Sequence, residues 1–274
     1  MVIRRALKSI GFMHPVYLAY RFLLLQARMA FADVQAFIAG KDYDGLPLPP
    51  ARLRFRVHGD LRPDAFVRVG RNIAGDLRGL AAEAGQPLAS SRTILDFGCG
   101  AGRVMRNFRD CAGAARLYGT DIDRDLVAWC RNNLRFATWC TNGFAPPLPF
   151  EDGFFDFIYG ISVFTHLDEA YQHAWLGELS RIARPGGLVL LTTMGEQVVR
   201  NMPQAVQDSY ASLGFAHKID VVGRFKFDQL PDFYQSTFHS EAYVRRVWSA
   251  YFSVVAFKPR AINKHQDAVV LRKQ

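Results

Sequence analysis

The sequence predicts an α/β fold: a doubly wound sheet of seven strands, mostly parallel with an antiparallel C-terminal strand, preceded by a helical N-terminal extension. Three observations predict it. Short apolar runs alternate with segments of helical periodicity between residues 93 and 192. A glycine-rich turn follows the first of these runs. Two strand-like runs near the C-terminus lie too close together for a crossover helix, so they must be antiparallel.

Length and composition favour one large globular domain with appendages. The chain has 274 residues, of which 50% are hydrophobic, and this allows a substantial core. The four cysteines form no Cys-x-x-Cys pair and show no metal-ligand spacing. We therefore expect a reduced, cytoplasmic protein without a metal site.

The net charge of +9 is distributed unevenly. Residues 1–31 contain five Lys or Arg and no acid, and residues 241–274 contain seven against two acids, so each end carries +5. The middle of the chain therefore sums to −1. Basic ends are compatible with an anionic substrate, a membrane surface, nucleic acid, or an ordinary soluble surface.

The N-terminal region predicts an amphipathic helix over residues 15–39. Its apolar run, 16–25, is too short to span a bilayer and is interrupted by Arg21. We expect this helix to cap the fold or line a substrate channel, with peripheral membrane contact by residues 1–31 as the less favoured alternative. We assign residues 1–60 to an N-terminal extension with a linker, and residues 61–274 to the main domain.

The remaining elements follow from periodicity and from turn residues. Leu53–Val57 alternates apolar and basic residues, which predicts a short strand or extended arm. Apolar spacing predicts helices over 63–84, 104–111, 124–134, 167–183, 203–213 and 241–250, with Asp123 and Ser240 as N-caps. Predicted strands cover 93–97, 115–120, 136–140, 155–159, 188–192, 252–257 and 268–271. Residues 195–240 predict a substrate-side insertion.

The glycine turn predicts a nucleotide-type cofactor site. Gly98, Gly100 and Gly102 follow Asp96 at the end of the first strand, where side chains would block close approach of a ligand to the backbone. A dinucleotide site normally has Gly-x-Gly-x-x-Gly, but the third glycine here comes one position early and Arg103 stands in its place. This spacing favours S-adenosylmethionine, which carries no phosphate.

Four motifs resemble those of class I S-adenosylmethionine-dependent methyltransferases, which have a Rossmann-like fold. They are the turn at 96–102, Tyr118-Gly119-Thr120-Asp121-Ile122, the run from Leu148 to Tyr159, and Arg184-Pro185-Gly186-Gly187. The resemblance covers residues 90–195 by motif and 240–274 by topology. It implies that the chain is an enzyme with S-adenosylmethionine as its methyl donor.

The resemblance implies a set of cofactor residues. Asp121 occupies the ribose-binding position, and Ile122 lies beside the adenine. Asn142 stands where the family usually has an acidic residue, and an amide can still bond to the adenine edge. The complete set is Asp96, Gly98, Cys99, Gly100, Gly102, Arg103, Asp121, Ile122, Asn142, Gly143, Gly160 and Ile161.

Three histidines are candidates for a general base. In a parallel sheet the site lies beyond the carboxyl ends of the strands, where His166 follows the fourth strand. His239 ends the insertion, and His265 belongs to the final hairpin loop, which must hang over the same edge. A base adds about 10²–10⁴-fold to the rate, whereas positioning alone supplies about 7–11 kcal/mol, so a base is helpful without being obligatory.

These features favour O-methylation of a small molecule, such as a sugar, a glycan or a secondary metabolite, with N-methylation second. A nucleic-acid methyltransferase is the first alternative. The basic ends favour it, but Gly160-Ile161-Ser162-Val163-Phe164 lacks the Asn/Asp-Pro-Pro-aromatic motif of base-amine enzymes. A non-catalytic binding module is the second alternative. The sequence leaves the acceptor and the oligomeric state open.

Overall fold

The computed structural model describes residues 13–39, 43–218 and 235–274. The chain divides into two compact units, Met1–Phe66 and Val67–Gln274. Part of the predicted insertion, residues 219–234, lies outside the described residues. Of the helices in the described ranges, none is both long and apolar enough to cross a membrane.

The N-terminal unit is helical. Helix α1 (Met13–Ala39) and helix α2 (Ala51–His58) lie within it, and helix α3 (Pro63–Glu83) begins in it. One side of α1 packs in a small core with α2 and the following loop. The members of this core are Leu25, Met29, Ala32, Ala51, Phe55 and Leu61.

Helix α2 corrects the prediction that Leu53–Val57 is extended. Arg54 is completely buried, and its guanidinium donates to the carbonyl oxygens of Pro49 at 2.6 Å and Leu61 at 3.1 Å. Asp33 of α1 accepts a hydrogen bond from the Ala51 N–H at the start of α2. The alternation of apolar and basic residues was misleading because one of the basic residues is part of the core.

Among the described residues, the second unit contains the seven predicted strands, several of them longer than predicted, and two short strands of the insertion, at 215–218 and 236–239, that the sequence did not predict. They are β1 (Thr93–Phe97), β2 (Arg116–Asp121), β3 (Thr138–Thr141), β4 (Phe155–Gly160), β5 (Ala183–Thr193), β6 (Phe215–Lys218), β7 (Ser236–His239), β8 (Ser253–Ile262) and β9 (Gln266–Arg272). The helices are α4 (Arg124–Asn133), α5 (Glu169–Ile182), α6 (Glu196–Val199), α7 (Gln204–Leu213) and α8 (Glu241–Val247).

Within the described residues, seven strands form one sheet in the order β3-β2-β1-β4-β5-β9-β8. The first five strands are parallel, and β9 is antiparallel to both β5 and β8. This arrangement confirms the predicted fold class. The strands β6 and β7 form a separate antiparallel pair within the insertion.

The helix predicted after the glycine turn is shorter and tighter than expected. Residues Met105–Cys111 form a 3₁₀ helix instead of an α-helix. The Asn107 side chain donates to the carbonyls of Arg103 and Val104, at 3.2 Å in each case, and so competes with regular helical hydrogen bonding. The predicted caps are confirmed: Asp123 accepts from backbone N–H groups of α4, and Ser240 accepts from the N–H of Tyr243.

Candidate functional site

The glycine turn follows the carboxyl end of β1 and is hydrogen-bonded to the end of β2. Its glycines have positive φ, at 79° for Gly98, 55° for Gly100 and 69° for Gly102. The N–H groups of Gly98 and Cys99 both donate to the Thr120 carbonyl, at 2.8 and 2.9 Å. The turn is therefore held rigidly against β2.

Two of these glycines prevent different collisions. A Cβ at Gly98 would lie 2.3 Å from a methyl carbon of Val163, in the loop after β4. A Cβ at Gly102 would lie 2.5 Å from Leu134, next to Trp139 and Cys130. The absence of a side chain at Gly98 therefore lets the loop after β4 approach the turn, whereas its absence at Gly102 lets Leu134 pack against the turn.

Asp121 joins the turn to β2. One carboxylate oxygen accepts from the Gly100 N–H at 2.7 Å, and the other accepts from the Asp123 N–H at 2.9 Å. Each carboxylate oxygen has two lone pairs and can accept more than one hydrogen bond. Asp121 also lines the cavity described next.

A cavity of about 440 Å³ opens at the carboxyl ends of the parallel strands. Six residues of the predicted site line it: Gly98, Asp121, Ile122, Asn142, Ile161 and His166. The other lining residues are Phe97, Phe144, Ser162, Val163, Leu167, Asp168, Tyr171, Trp175, His217 and Gln235. The cavity is thus built from the ends of β1 and β2, the loops after β3 and β4, helix α5 and the small sheet.

The remaining predicted cofactor residues are not part of this lining. They are Asp96, Cys99, Gly100, Gly102, Arg103, Gly143 and Gly160. Asp96 is buried at the end of β1, and burial raises its pKa to about 8, although a hydrogen bond from the Tyr159 hydroxyl opposes that shift. A Cβ at Gly70 of α3 would collide with the Arg103 carbonyl oxygen, so α3 lies directly on the backbone of the turn.

Asn142 lies at the adenine-side position implied by the resemblance. Its amide nitrogen donates to the Gly143 carbonyl at 2.8 Å. Its amide oxygen is buried and, among the described residues, has no hydrogen-bond partner. A buried acceptor of this kind is costly unless a donor occupies it, so the side chain is suited to receive an N–H from a ligand.

His166 lines the cavity and is held by the insertion. Its Nδ1 lies 2.6 Å from the Gln235 carbonyl oxygen, so Nδ1 carries the proton and Nε2 carries the lone pair. Burial lowers the pKa of His166 to about 4, while the bond to Gln235 works in the opposite direction. The imidazole is therefore neutral near pH 7, as a proton acceptor must be.

His217 is a second cavity histidine, which the sequence analysis missed. The Thr237 hydroxyl donates to the Leu167 carbonyl at 2.8 Å, so it accepts from His217 Nδ1 at 2.9 Å. His217 Nδ1 therefore carries a proton, as His166 Nδ1 does. The contact depends on the pairing of β6 with β7, and a tertiary pairing of this kind leaves no local sequence signal.

The structure does not bring the other two predicted bases into the cavity. His239 is fully buried among the rings of Phe215, Tyr243 and Trp248, and its Nε2 bonds to Gln172 at 2.8 Å. Burial lowers its pKa to about 3. His265 lies at the exposed tip of the β8–β9 hairpin and is absent from the cavity lining. We therefore correct their assignment: His239 is a core residue, and His265 is a hairpin residue.

The loop at residues 162–167, which carries His166, is held from several elements. Gln172 of α5 donates to the carbonyls of Phe164 and Leu167, at 3.2 and 2.9 Å. The Ser162 N–H donates to the Thr192 hydroxyl of β5 at 2.8 Å. The indole of Trp175, also on α5, donates to the Phe144 carbonyl at 2.9 Å. These bonds fix the shape of the cavity before any ligand enters.

Comparison with known sequences agrees with the geometry. A family model described as a methyltransferase domain matches residues 94–187. A malonyl-acyl-carrier-protein O-methyltransferase of Pectobacterium atrosepticum is 29% identical over 121 residues, 44% of this chain and 46% of that protein. A ubiquinone/menaquinone biosynthesis C-methyltransferase of Burkholderia mallei is 31% identical over 105 residues, 36% of this chain and 41% of that protein. The chain spans about half the length of these relatives.

Solved structures share the fold. Magnesium protoporphyrin IX methyltransferase from Synechocystis is 17% identical with a TM-score of 0.53, over 81% of this chain and 93% of that one. Human N-acetylserotonin methyltransferase, solved in complex with S-adenosylmethionine, is 15% identical with a TM-score of 0.52, over 81% of this chain and 55% of that one. Residues 94–187 therefore match the model of a methyltransferase domain, and the chain has the fold of S-adenosylmethionine-dependent methyltransferases.

Proposed function

We propose that this protein transfers a methyl group from S-adenosylmethionine to a hydroxyl group of a small molecule. The observation that carries the proposal is the composition of the cavity. Asp121 and Asn142 offer acceptors at the ends of β2 and β3, and His166 and His217 line the same cavity from the loop after β4 and from the insertion. A volume of about 440 Å³ is in the range of small-molecule sites.

The residues present fit S-adenosylmethionine. Asp121 lines the cavity with a carboxylate, the group that accepts from ribose hydroxyls, and the amide oxygen of Asn142, which has no hydrogen-bond partner among the described residues, suits the adenine amino group. Ile122 and Ile161 supply apolar surface in the same cavity. When bound, this cofactor supplies a methyl group that is already activated by its sulfonium.

His166 is the proposed base. Its Nδ1 proton is committed to the Gln235 carbonyl, which orients the ring and leaves Nε2 as the proton acceptor. An acceptor hydroxyl within reach of Nε2 would lose its proton there as the new bond to carbon forms. His217, whose Nδ1 also donates to a protein oxygen, is the second candidate for this role.

Apolar walls complete the acceptor side. Leu167, Tyr171 and Trp175 line the cavity beside the histidines. Such walls exclude water and hold a compact acceptor, and orientation of this kind is worth about 7–11 kcal/mol in well-aligned systems. The named relatives include an O-methyltransferase, so oxygen is the acceptor atom that we propose.

The test has two stages. Titration calorimetry of the full chain with S-adenosylmethionine should show saturable binding of one equivalent. A panel of sugars, phenols, carboxylic acids and amines is then assayed for release of S-adenosylhomocysteine. Turnover with a hydroxyl compound supports the proposal. Absence of cofactor binding would reject the methyltransferase activity, whereas turnover of amines only would reject O-methylation.

A further inference from the structure

Helix α1 presents an apolar face that lies away from its packed side. Leu25, Met29 and Ala32 pack into the core of the N-terminal unit. Large apolar side chains elsewhere on the same helix are exposed, at 66% for Leu23, 64% for Phe31, 87% for Phe37 and 78% for Ile38. The other exposed apolar residues of α1 are Tyr20, Phe22, Leu24 and Val34.

The exposed residues form a stripe. Tyr20, Leu23, Phe31, Val34 and Ile38 follow one another at intervals of three, eight, three and four, which return to one side of an α-helix. By the same geometry, the packed residues lie on the opposite side. We call this stripe the outer face of α1. At 1.5 Å per residue, it is about 27 Å long.

Polar side chains border the outer face. Gln26 and Arg28 are exposed, and their positions on the helix lie between the packed side and the outer face. Apolar surface bordered by polar groups is typical of a surface that binds a partner, because isolated exposed apolar residues do not line up in this way.

Charge identifies the partner. Residues 1–31 carry five basic residues and no acid, and the first acid of the chain is Asp33. If a second copy of the chain docked on the outer face, its residues 1–31 would bring five more positive charges. Asp33 is the one carboxylate in the sequence of α1 that could offset them. An anionic phospholipid surface supplies negative headgroups beside a hydrocarbon layer, which matches both the charge and the apolar stripe.

We propose that the outer face of α1 docks on the surface of a bilayer that contains anionic phospholipid. The helix lies parallel to the surface, with its apolar stripe at the boundary between headgroups and acyl chains and with Arg28, at the border of the stripe, beside the headgroups. This binding surface is independent of the proposed methyl transfer, because the cavity residues all belong to Val67–Gln274.

Vesicle flotation of the full chain tests the proposal. Vesicles of phosphatidylcholine alone are compared with vesicles that also contain phosphatidylglycerol, at low and high salt. The chain should float with the anionic vesicles, and high salt should weaken the binding. The triple variant L23Q/F31Q/I38Q should bind at least about tenfold more weakly, because each substitution removes a side chain from the stripe.

The matched control is the double variant L213Q/V255Q. It also removes exposed apolar side chains, of 59% and 46% exposure, but outside α1. It should bind vesicles like the wild type. Calorimetry with S-adenosylmethionine and thermal unfolding should be unchanged in the triple variant, which shows that its fold is intact.

Three outcomes would overturn the proposal. In the first, the wild type does not float with anionic vesicles. In the second, the triple variant with an unchanged unfolding transition floats as well as the wild type. In the third, the wild type sediments as a dimer that the triple variant abolishes while vesicles bind neither protein, which would assign the outer face to a second copy of the chain.

Discussion

At the scale of single residues, Asp121 links the fold to the proposed chemistry. Its two oxygens accept from the Gly100 and Asp123 N–H groups, so the carboxylate fixes the turn, and it also lines the cavity proposed for the cofactor. A residue with both tasks is sensitive to substitution, because its removal loosens the turn and takes away the ribose acceptors together.

We predict that D121A weakens S-adenosylmethionine binding by at least about tenfold, since a hydrogen bond to a charged group is worth about 1.5–3 kcal/mol. Calorimetry measures the effect. The control is D123A, which removes the α4 cap and should cost about 1 kcal/mol of stability without a comparable change in affinity. Equal affinity losses in both variants would contradict the ribose role.

His166 makes a prediction about pH. Because burial lowers its pKa to about 4, the imidazole is neutral from pH 8 down to about pH 5 and becomes protonated only near and below its pKa. Turnover should therefore not fall between pH 8 and about pH 5 on account of this group. H166Q should lower kcat by about 10²–10⁴-fold with little change in cofactor affinity.

The matched comparison is H217Q, because both histidines line the cavity and both direct Nδ1 to a protein oxygen. Steady-state kinetics of the two variants with the identified acceptor assigns the base. A larger loss of kcat in H217Q than in H166Q would transfer the role to His217.

At the scale of elements, α5 holds the loop that carries His166. Gln172 is buried, and its amide nitrogen satisfies two loop carbonyls while its amide oxygen accepts from His239 Nε2. This pairing gives the buried His239 a structural role: its proton on Nε2 fixes the orientation of the Gln172 amide.

We predict that Q172L destabilises the protein and also lowers kcat, because it removes the side-chain donor to the Phe164 carbonyl, one of the two side-chain donors to the Leu167 carbonyl, and the acceptor of His239 Nε2. The control is S180A on the same helix, where a buried hydroxyl donates to the Tyr251 carbonyl away from the cavity lining. Urea unfolding and kinetics should show stability losses in both variants, but a loss of kcat in Q172L alone. If Q172L and S180A have equal kcat values, Gln172 does not position the loop that carries His166.

Elements with local signals were predictable from the sequence, and elements set by tertiary contacts were not. The end of β1, the glycine turn and the Asp123 cap are encoded in adjacent residues, and the structure agrees with them. Helix α2 was missed because the burial of Arg54 depends on carbonyls of distant residues. His217 was missed for the same reason, since the β6–β7 pairing brings it to the cavity.

At the scale of the whole molecule, the cavity and the outer face of α1 belong to different units. Every cavity residue lies in Val67–Gln274, whereas α1 lies in Met1–Phe66. The hairpin of β8 and β9 is fastened within the second unit: Asn263 at its tip donates to Asp76 of α3. The proposed binding of small molecules in the cavity and the proposed binding of α1 to a bilayer surface therefore involve separate sets of residues.

This separation predicts two distinct patterns of amide hydrogen exchange in the full chain. S-adenosylmethionine should slow exchange in the glycine turn and at the end of β2, because it orders backbone N–H groups around Asp121, and should leave α1 unchanged. Anionic vesicles should slow exchange in α1 and leave the turn unchanged. Exchange measured by mass spectrometry with each ligand separately resolves the two regions, and phosphatidylcholine vesicles are the control. Protection of α1 by S-adenosylmethionine alone would contradict the separation, because it would make the N-terminal unit part of the response to the cofactor.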